Sequence, residues 1–265
     1  MHESADLLRE LNTTDRRMLA LIDGLSDDQL AVPYEAGINP PIWELGHAAF
    51  FTEYFFLRPL VDSAPRMAGY DEIWDSFQIP HRVRWQDGVV PDKHATLDYY
   101  RRITNEFRAL VERGDLDERA HYLARYSIYH QNMHVESLIW CRQTLGYPRP
   151  GTATGAPADA APVARRDVAI PGGVYPMGIA PDTGQFAFDN EKPGFTKELA
   201  PFSISNTLVT NREFLEFVAD GGYTNRSLWS YPAACWLDAE QRHHPLYWRR
   251  GDDDGSWQVR HFDAW

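Results

Sequence analysis

Cysteine is scarce in this sequence, whose 265 residues contain two, Cys141 and Cys235. Two cysteines so far apart exclude the disulfide framework that staples small secreted domains, and we expect both to be reduced thiols. No apolar run reaches the length of a transmembrane helix, and no basic segment followed by an apolar one opens the chain. These absences predict a cytoplasmic protein without a membrane partner.

Positive charge is also in short supply, with 26 Lys and Arg residues against 38 Asp and Glu residues and a formal net charge of -12. Nucleic acids and anionic membranes both select basic surfaces, so the composition argues against either partner. Apolar residues make up 43 % of the chain. That fraction and the length are sufficient for the cores of one large or two ordinary domains, and disorder is not expected.

A small basic group, His81, Arg82 and Arg84, interrupts this acidic background within residues 62–91. That segment has several prolines and glycines and no sustained period, which predicts a long loop. Two guanidinium groups so close together are suited to bidentate contacts with a carboxylate. The alternative is a solvated turn or a surface ion pair.

Three histidines are candidates for metal binding. His130 and His134, in the stretch YHQNMHVESLIW, are four residues apart and therefore share one face of a helix. Neutral imidazole is a common ligand for transition metals. His47 interrupts the apolar stretch NPPIWELGHAAFFTEYFFL. If the two helices pack as neighbours, the three imidazoles form a face with open coordination positions, which favours chemistry over a closed structural site. Packed core or surface histidines are the alternative.

Apolar residues spaced three and four apart predict four long helices, typical of a helix bundle, at about residues 5–25, 40–57, 92–113 and 117–145. Residues 148–167 are rich in Pro, Ala and Gly and predict a linker between a domain at 1–147 and a second at 168–265. The second domain begins with short strands and a capped helix at Thr210–Ala219, and its remainder reads as loop-rich. Its last residues, VRHFDAW, lack polar fraying, so we expect the chain to stop inside this domain.

The motifs WELGH, YHQNMHVES and FDNEKP, followed by ISNTLVTNREFLEFV, resemble those of the ergothioneine-type sulfoxide synthases, including the ovothiol and selenoneine synthases. The resemblance covers nearly the whole chain. It implies an α+β protein with an N-terminal DinB-like four-helix bundle, followed by a truncated C-type-lectin-like domain of the formylglycine-generating-enzyme kind. The family's active-site tyrosine, in the second half of that domain, has no counterpart before Trp265.

The resemblance further implies that His47, His130 and His134 ligate a non-haem iron(II). Such enzymes use dioxygen as a co-substrate and join a sulfur or selenium donor to the imidazole of hercynine or a related histidine derivative. Arg82 and Arg84 lie where family members bind the carboxylates of the donor.

The residue before the last ligand is often a substrate-contacting glutamine in bacterial ergothioneine synthases, but here it is Met133. This form is similar to the ovothiol and selenoneine branches and to some eukaryotic ergothioneine enzymes. Gln131 and Glu136 are predicted to hold the ligand imidazoles from behind. For Glu136 the alternative is a solvent-facing helical carboxylate.

Two other functions remain open at this stage. A DinB-type thiol transferase would use the same histidines on zinc or another divalent ion and would not need dioxygen. A non-catalytic binding protein would pack the histidines in its core and bind no stoichiometric metal. The sequence leaves the choice between sulfur and selenium, the exact histidine derivative and the oligomeric state open.

Overall fold

A computed structural model describes residues 2–30, 32–61, 64–151, 163–180, 183–252 and 255–265. By its internal contacts the chain divides into two compact units, Met1–Thr154 and Gly155–Trp265. Most of the predicted linker, residues 152–162, lies outside the described residues.

The first unit is helical. Its α-helices are α1 His2–Ile22, α2 Asp27–Leu30, α3 Pro41–Thr52, α4 Arg58–Val61, α5 Tyr70–Trp74, α6 Lys93–Arg113 and α7 Glu118–Leu145. The four long helices predicted from the apolar period correspond to α1, the region from α3 to α4, α6 and α7. Among the described residues, no helix has both the length and the apolar character that crossing a membrane requires.

The ends of the two longest predicted helices follow their capping residues. Asp92 and Asp117 precede α6 and α7, and each carboxylate accepts a hydrogen bond from a backbone N–H in the first turn. Gly114 and Gly146 follow the two helices with positive φ angles of 73° and 69°, a conformation that glycine adopts without steric cost. Local sequence therefore determines where both helices begin and end.

The long helices form a ring, in which α1 packs against α6 and α7, and α3 packs against the same two helices from the other side. Between them lies a core of fully buried side chains, the largest of which are Trp43, Trp74, Tyr100, Phe56 and Phe107. Because α3 contacts α7 directly, residues on their facing sides can form a joint site.

Two features of this unit depart from the sequence prediction. The second predicted helix is α-helical only to Thr52 and continues as a π-helical turn at Glu53–Leu57 before α4. The predicted loop at 62–91 contains α5 and a 3-10 turn at His81–Trp85. Both elements are five residues long, which is too short for an apolar period to be recognised.

The second unit contains short antiparallel strand pairs. Its strands are β1 Asp167–Ile170, β2 Gly173–Met177, β3 Phe195–Leu199, β4 Phe202–Ser205, β5 Trp248–Arg250 and β6 Trp257–Val259. β1 pairs with β4, β2 with β3 and β5 with β6. The sequence predicts short strands within residues 168–178 and 198–210. β1, β2 and β4 lie in these segments, except for the first residue of β1, whereas β3 begins three residues before the second segment.

Two helices accompany these strands, α8 at Asn211–Ala219 and α9 at Tyr231–Glu240. The predicted capping box is present at α8, because Thr210 and Glu213 each accept a hydrogen bond from the backbone N–H of the other. The prediction that the remainder is loop-rich was wrong for α9, β5 and β6. The residues of α9, YPAACWLDAE, lack a single apolar stripe, so the helical period was not visible.

Candidate metal centre

The packing of α3 on α7 brings three histidines together. One candidate ligand nitrogen from each of His47, His130 and His134 lies within 4.8 Å of the others. The Nε2 atoms of His130 and His134 are 3.2 Å apart, and the His47 ring centroid lies 5.3 Å and 4.9 Å from theirs. The spacing of four residues on α7 and the neighbouring position of α3 together produce this cluster.

The three imidazoles differ in the hydrogen-bond partner of their Nδ1 atoms. Nδ1 of His47 is 2.6 Å from the backbone carbonyl of Trp74, and Nδ1 of His134 contacts a carboxylate oxygen of Glu44. Nδ1 of His130 is buried and has no hydrogen-bond partner among the described residues. A carbonyl and a carboxylate accept hydrogen bonds, so Nδ1 of both His47 and His134 carries a proton, and Nε2 is the candidate ligand nitrogen of each.

Burial favours the neutral form of two of the three histidines. It lowers the pKa of His47 to about 4 and lowers the pKa of His130 below its ordinary value. Burial by itself raises the pKa of the Glu44 carboxyl, but its contacts with His134, Asn39 and Ser137 lower it overall. His47 and His130 are therefore neutral imidazoles at neutral pH, the form in which histidine binds a cation, and a carboxylate lies next to the third ring.

The arrangement fits a transition-metal ion. With metal–nitrogen bonds of about 2.1 Å, two adjacent ligands in tetrahedral or octahedral geometry lie about 3.0–3.4 Å apart. The 3.2 Å between the Nε2 atoms of His130 and His134 is in this range. Three protein nitrogens leave further coordination positions for small molecules. Ligand type alone does not select iron over zinc.

Comparison with known proteins agrees with the division into two units. Residues 10–138 match the family model of the DinB superfamily, and residues 153–263 match that of the sulfatase-modifying factor enzyme 1-like domain. The chain joins a DinB domain to a sulfatase-modifying-factor-like domain. This confirms the predicted α+β class and the resemblance to enzymes with this pair of domains.

Relatives that align with most of this chain are named hercynine oxygenase. A hercynine oxygenase of Mycolicibacterium smegmatis is 28 % identical over 84 % of this chain and 52 % of its own length, and one of Mycolicibacterium thermoresistibile is 29 % identical over 85 % and 51 %. A formylglycine-generating enzyme of Thermomonospora curvata is 34 % identical over 36 % of each chain. The chain thus spans about half the length of the hercynine oxygenases that it matches.

Most residues of the WELGH motif in the DinB domain belong to the histidine cluster or support it. The Trp43 ring stacks on His47 with 4.7 Å between centroids. Glu44 contacts His134. At Gly46 an added Cβ would lie 2.4–2.5 Å from the six-membered ring of Trp74. Only glycine leaves room for this indole, and the backbone carbonyl of the same residue, Trp74, contacts His47.

The two arginines predicted to bind the donor differ in availability. Arg82 is exposed, with its guanidinium 4.2 Å from the centre of the Tyr34 ring. Arg84 lies 3.9 Å over the Trp43 ring and donates to the side chain of Asn39. Its second terminal nitrogen donates to two backbone carbonyls, so both terminal nitrogens of Arg84 are used within the DinB domain.

The other site residues predicted on α7, Gln131, Met133 and Glu136, differ in their exposure to solvent. Met133 is 45 % exposed and lines an open cavity of about 440 Å³ with Glu136 and Ser137. Glu136 is exposed. Gln131 is buried and donates to Thr52 of α3, which links the two helices that carry the cluster. Among the described residues, the hydrogen bonds of the three imidazoles involve neither Gln131 nor Glu136.

Two residues that contact the Nδ1 atoms of the imidazoles were not predicted. Glu44 is 1 % exposed and lies one helical turn before His47. A carboxylate inside an apolar stretch is a signal that a sequence offers, since buried charges require partners. Trp74 contributes a backbone carbonyl, for which the sequence offers no signal.

Proposed function

We propose that the chain is part of an iron(II)- and dioxygen-dependent oxidoreductase that forms a carbon–sulfur or carbon–selenium bond on the imidazole of hercynine or a related histidine derivative. The observation that carries the proposal is the cluster of His47, His130 and His134, with three ligand nitrogens within 4.8 Å. The two matched domains and the relatives named hercynine oxygenase support the substrate class.

In this proposal the three histidines hold the ion and the aromatic residues around them shield it from water. Trp43 stacks on His47, and Phe51 stacks on His130 with 3.4 Å between centroids. When bound, the iron supplies the site at which dioxygen is activated. Exclusion of water prevents side reactions and strengthens the electrostatic contacts of the site.

The surroundings of the cluster provide for small-molecule substrates. Met133 and Ser137 flank His134 on α7 and line the 440 Å³ cavity, which we assign to the histidine derivative. The exposed guanidinium of Arg82 is the group we assign to a carboxylate of the sulfur or selenium donor. The internal contacts of Arg84 give it a supporting role instead.

The experiment supplies the purified chain with iron(II), oxygen, hercynine and either a thiol or a selenium donor, and identifies the product by mass. A product containing hercynine plus sulfur or selenium, dependent on both iron and oxygen, is the expected result. Omission of each component in turn is the control. Full turnover with zinc and without oxygen would instead assign the site to a metal-dependent thiol transferase.

A further inference from the structure

Glu44 is a buried carboxylate to which the proposed function assigns no role. It is 1 % exposed and lies on α3, from which it reaches across to α7. Removing a carboxylate from water is unfavourable unless hydrogen bonds and charge compensate it. What surrounds this carboxylate therefore determines its role.

Three hydrogen-bond donors surround Glu44. Oε1 accepts from the Asn39 amide nitrogen at 2.8 Å and from the Ser137 hydroxyl at 2.8 Å. Oε2 contacts Nδ1 of His134. The two oxygens thus face separate groups, and Oε2 is left for the imidazole.

The orientation of Asn39 is itself fixed. Arg84 donates to the Asn39 side-chain oxygen at 2.9 Å, which leaves the amide nitrogen to face Glu44. The Arg84 guanidinium is in turn held over the Trp43 ring at 3.9 Å. This chain of contacts holds the carboxylate in one position from the side opposite to the imidazoles.

We propose that Glu44 is the positioning residue of the metal site, because it fixes the tautomer and ring orientation of His134. An ionised carboxylate only accepts hydrogen bonds, so Nδ1 of His134 carries the proton and Nε2 faces the other two imidazoles. His47 reaches the same tautomer through the Trp74 carbonyl, which carries no full charge. His134 is thereby the ligand that has a full negative charge in contact with its Nδ1. This inference rests on the proposed metal site.

The first test uses metal-free wild-type protein with ¹⁵N-labelled histidine. The imidazole signals of His134, assigned by their loss in His134→Gln, should show a protonated Nδ1 and an unprotonated Nε2. The opposite tautomer, or a mixture of both, would overturn the inference. This readout requires neither metal nor activity, and a merely structural carboxylate would not determine it.

The second test compares Glu44→Gln with Glu112→Gln, a matched change on an exposed carboxylate of α6. Anaerobic titration with iron(II) alone should show an affinity at least about tenfold lower for Glu44→Gln, and a change below about twofold for Glu112→Gln. A loss below tenfold for Glu44→Gln would contradict the inference. If the wild type itself binds no iron(II), the proposed function fails, while the imidazole signals still decide the tautomer.

Discussion

Replacing Gly46 with alanine tests how the DinB domain builds its candidate site. The new Cβ would lie 2.4 Å from Cη2 and 2.5 Å from Cζ2 and Cζ3 of Trp74. Carbon atoms in contact are about 3.5–4.0 Å apart, so the indole must move by about 1 Å or more. Trp74 is fully buried and cannot swing into solvent. Overpacking of this kind costs about 1–3 kcal/mol.

Whether Gly46→Ala raises or lowers the stability of the domain distinguishes overpacking from a gain in helix propensity. Gly46 lies inside α3, where alanine is favoured over glycine by about 1 kcal/mol if the space is open. We expect net destabilisation, measured by urea unfolding of metal-free protein, together with weaker iron(II) binding as the Trp74 carbonyl moves away from His47. Equal or higher stability of Gly46→Ala would refute the reasoning.

A control and a rescue variant sharpen this experiment. At Gly37 an added Cβ meets nothing within 4 Å, so Gly37→Ala should change stability by no more than about 0.5 kcal/mol. Trp74→Phe removes the crowded ring atoms, and the indole N–H has no hydrogen-bond partner to lose among the described residues. The double variant with Gly46→Ala should therefore be more stable than the sum of the single effects predicts.

Other parts of the chain give further predictions. His130→Ala and His134→Ala should both abolish tight iron(II) binding. In urea unfolding of metal-free protein, His134→Ala should lose more stability, about 3 kcal/mol or more, because it removes the partner of Oε2 of the buried Glu44 carboxylate. Equal losses for the two variants would contradict this. Burial raises the pKa of the Cys141 thiol to about 12, whereas Cys235 is exposed. A thiol reagent at pH 8 should therefore modify Cys235 quickly and Cys141 only when the protein unfolds. Rapid modification of both cysteines in the folded protein would contradict the burial of Cys141. Glu53 is buried and accepts hydrogen bonds from three neighbouring residues, so Glu53→Gln should destabilise the domain by about 3–5 kcal/mol in the same assay, and a loss below about 1 kcal/mol would refute that network.

Sequence alone predicts those parts of the fold and site that depend on local patterns. The spacing of His130 and His134 places them on one helix face whatever surrounds them. The ends of α6 and α7 follow from the Asp and Gly residues that cap them. The position of His47 opposite the pair needs only that two apolar helices pack as neighbours. Helical period and capping chemistry therefore account for the cluster's framework.

The support of the cluster depends on contacts between distant segments. The Trp74 carbonyl reaches His47 from a segment that shows no sustained period, and a backbone carbonyl leaves no trace in the sequence. Glu136 is the nearer carboxylate to His134 in sequence, yet Glu44, 90 residues away, makes the contact. The reason is that Glu136, two positions after His134, lies on the exposed side of α7. Glu44 lies on α3, which packs against α7.

We propose above all that one cation is bound by the three imidazoles of α3 and α7. Anomalous X-ray diffraction at the iron absorption edge, from crystals of the chain loaded anaerobically with iron(II), tests this most directly. We expect one strong peak within bonding distance, about 2.1 Å, of nitrogens of His47, His130 and His134. No peak between these rings, or a peak bound by other residues, would contradict it.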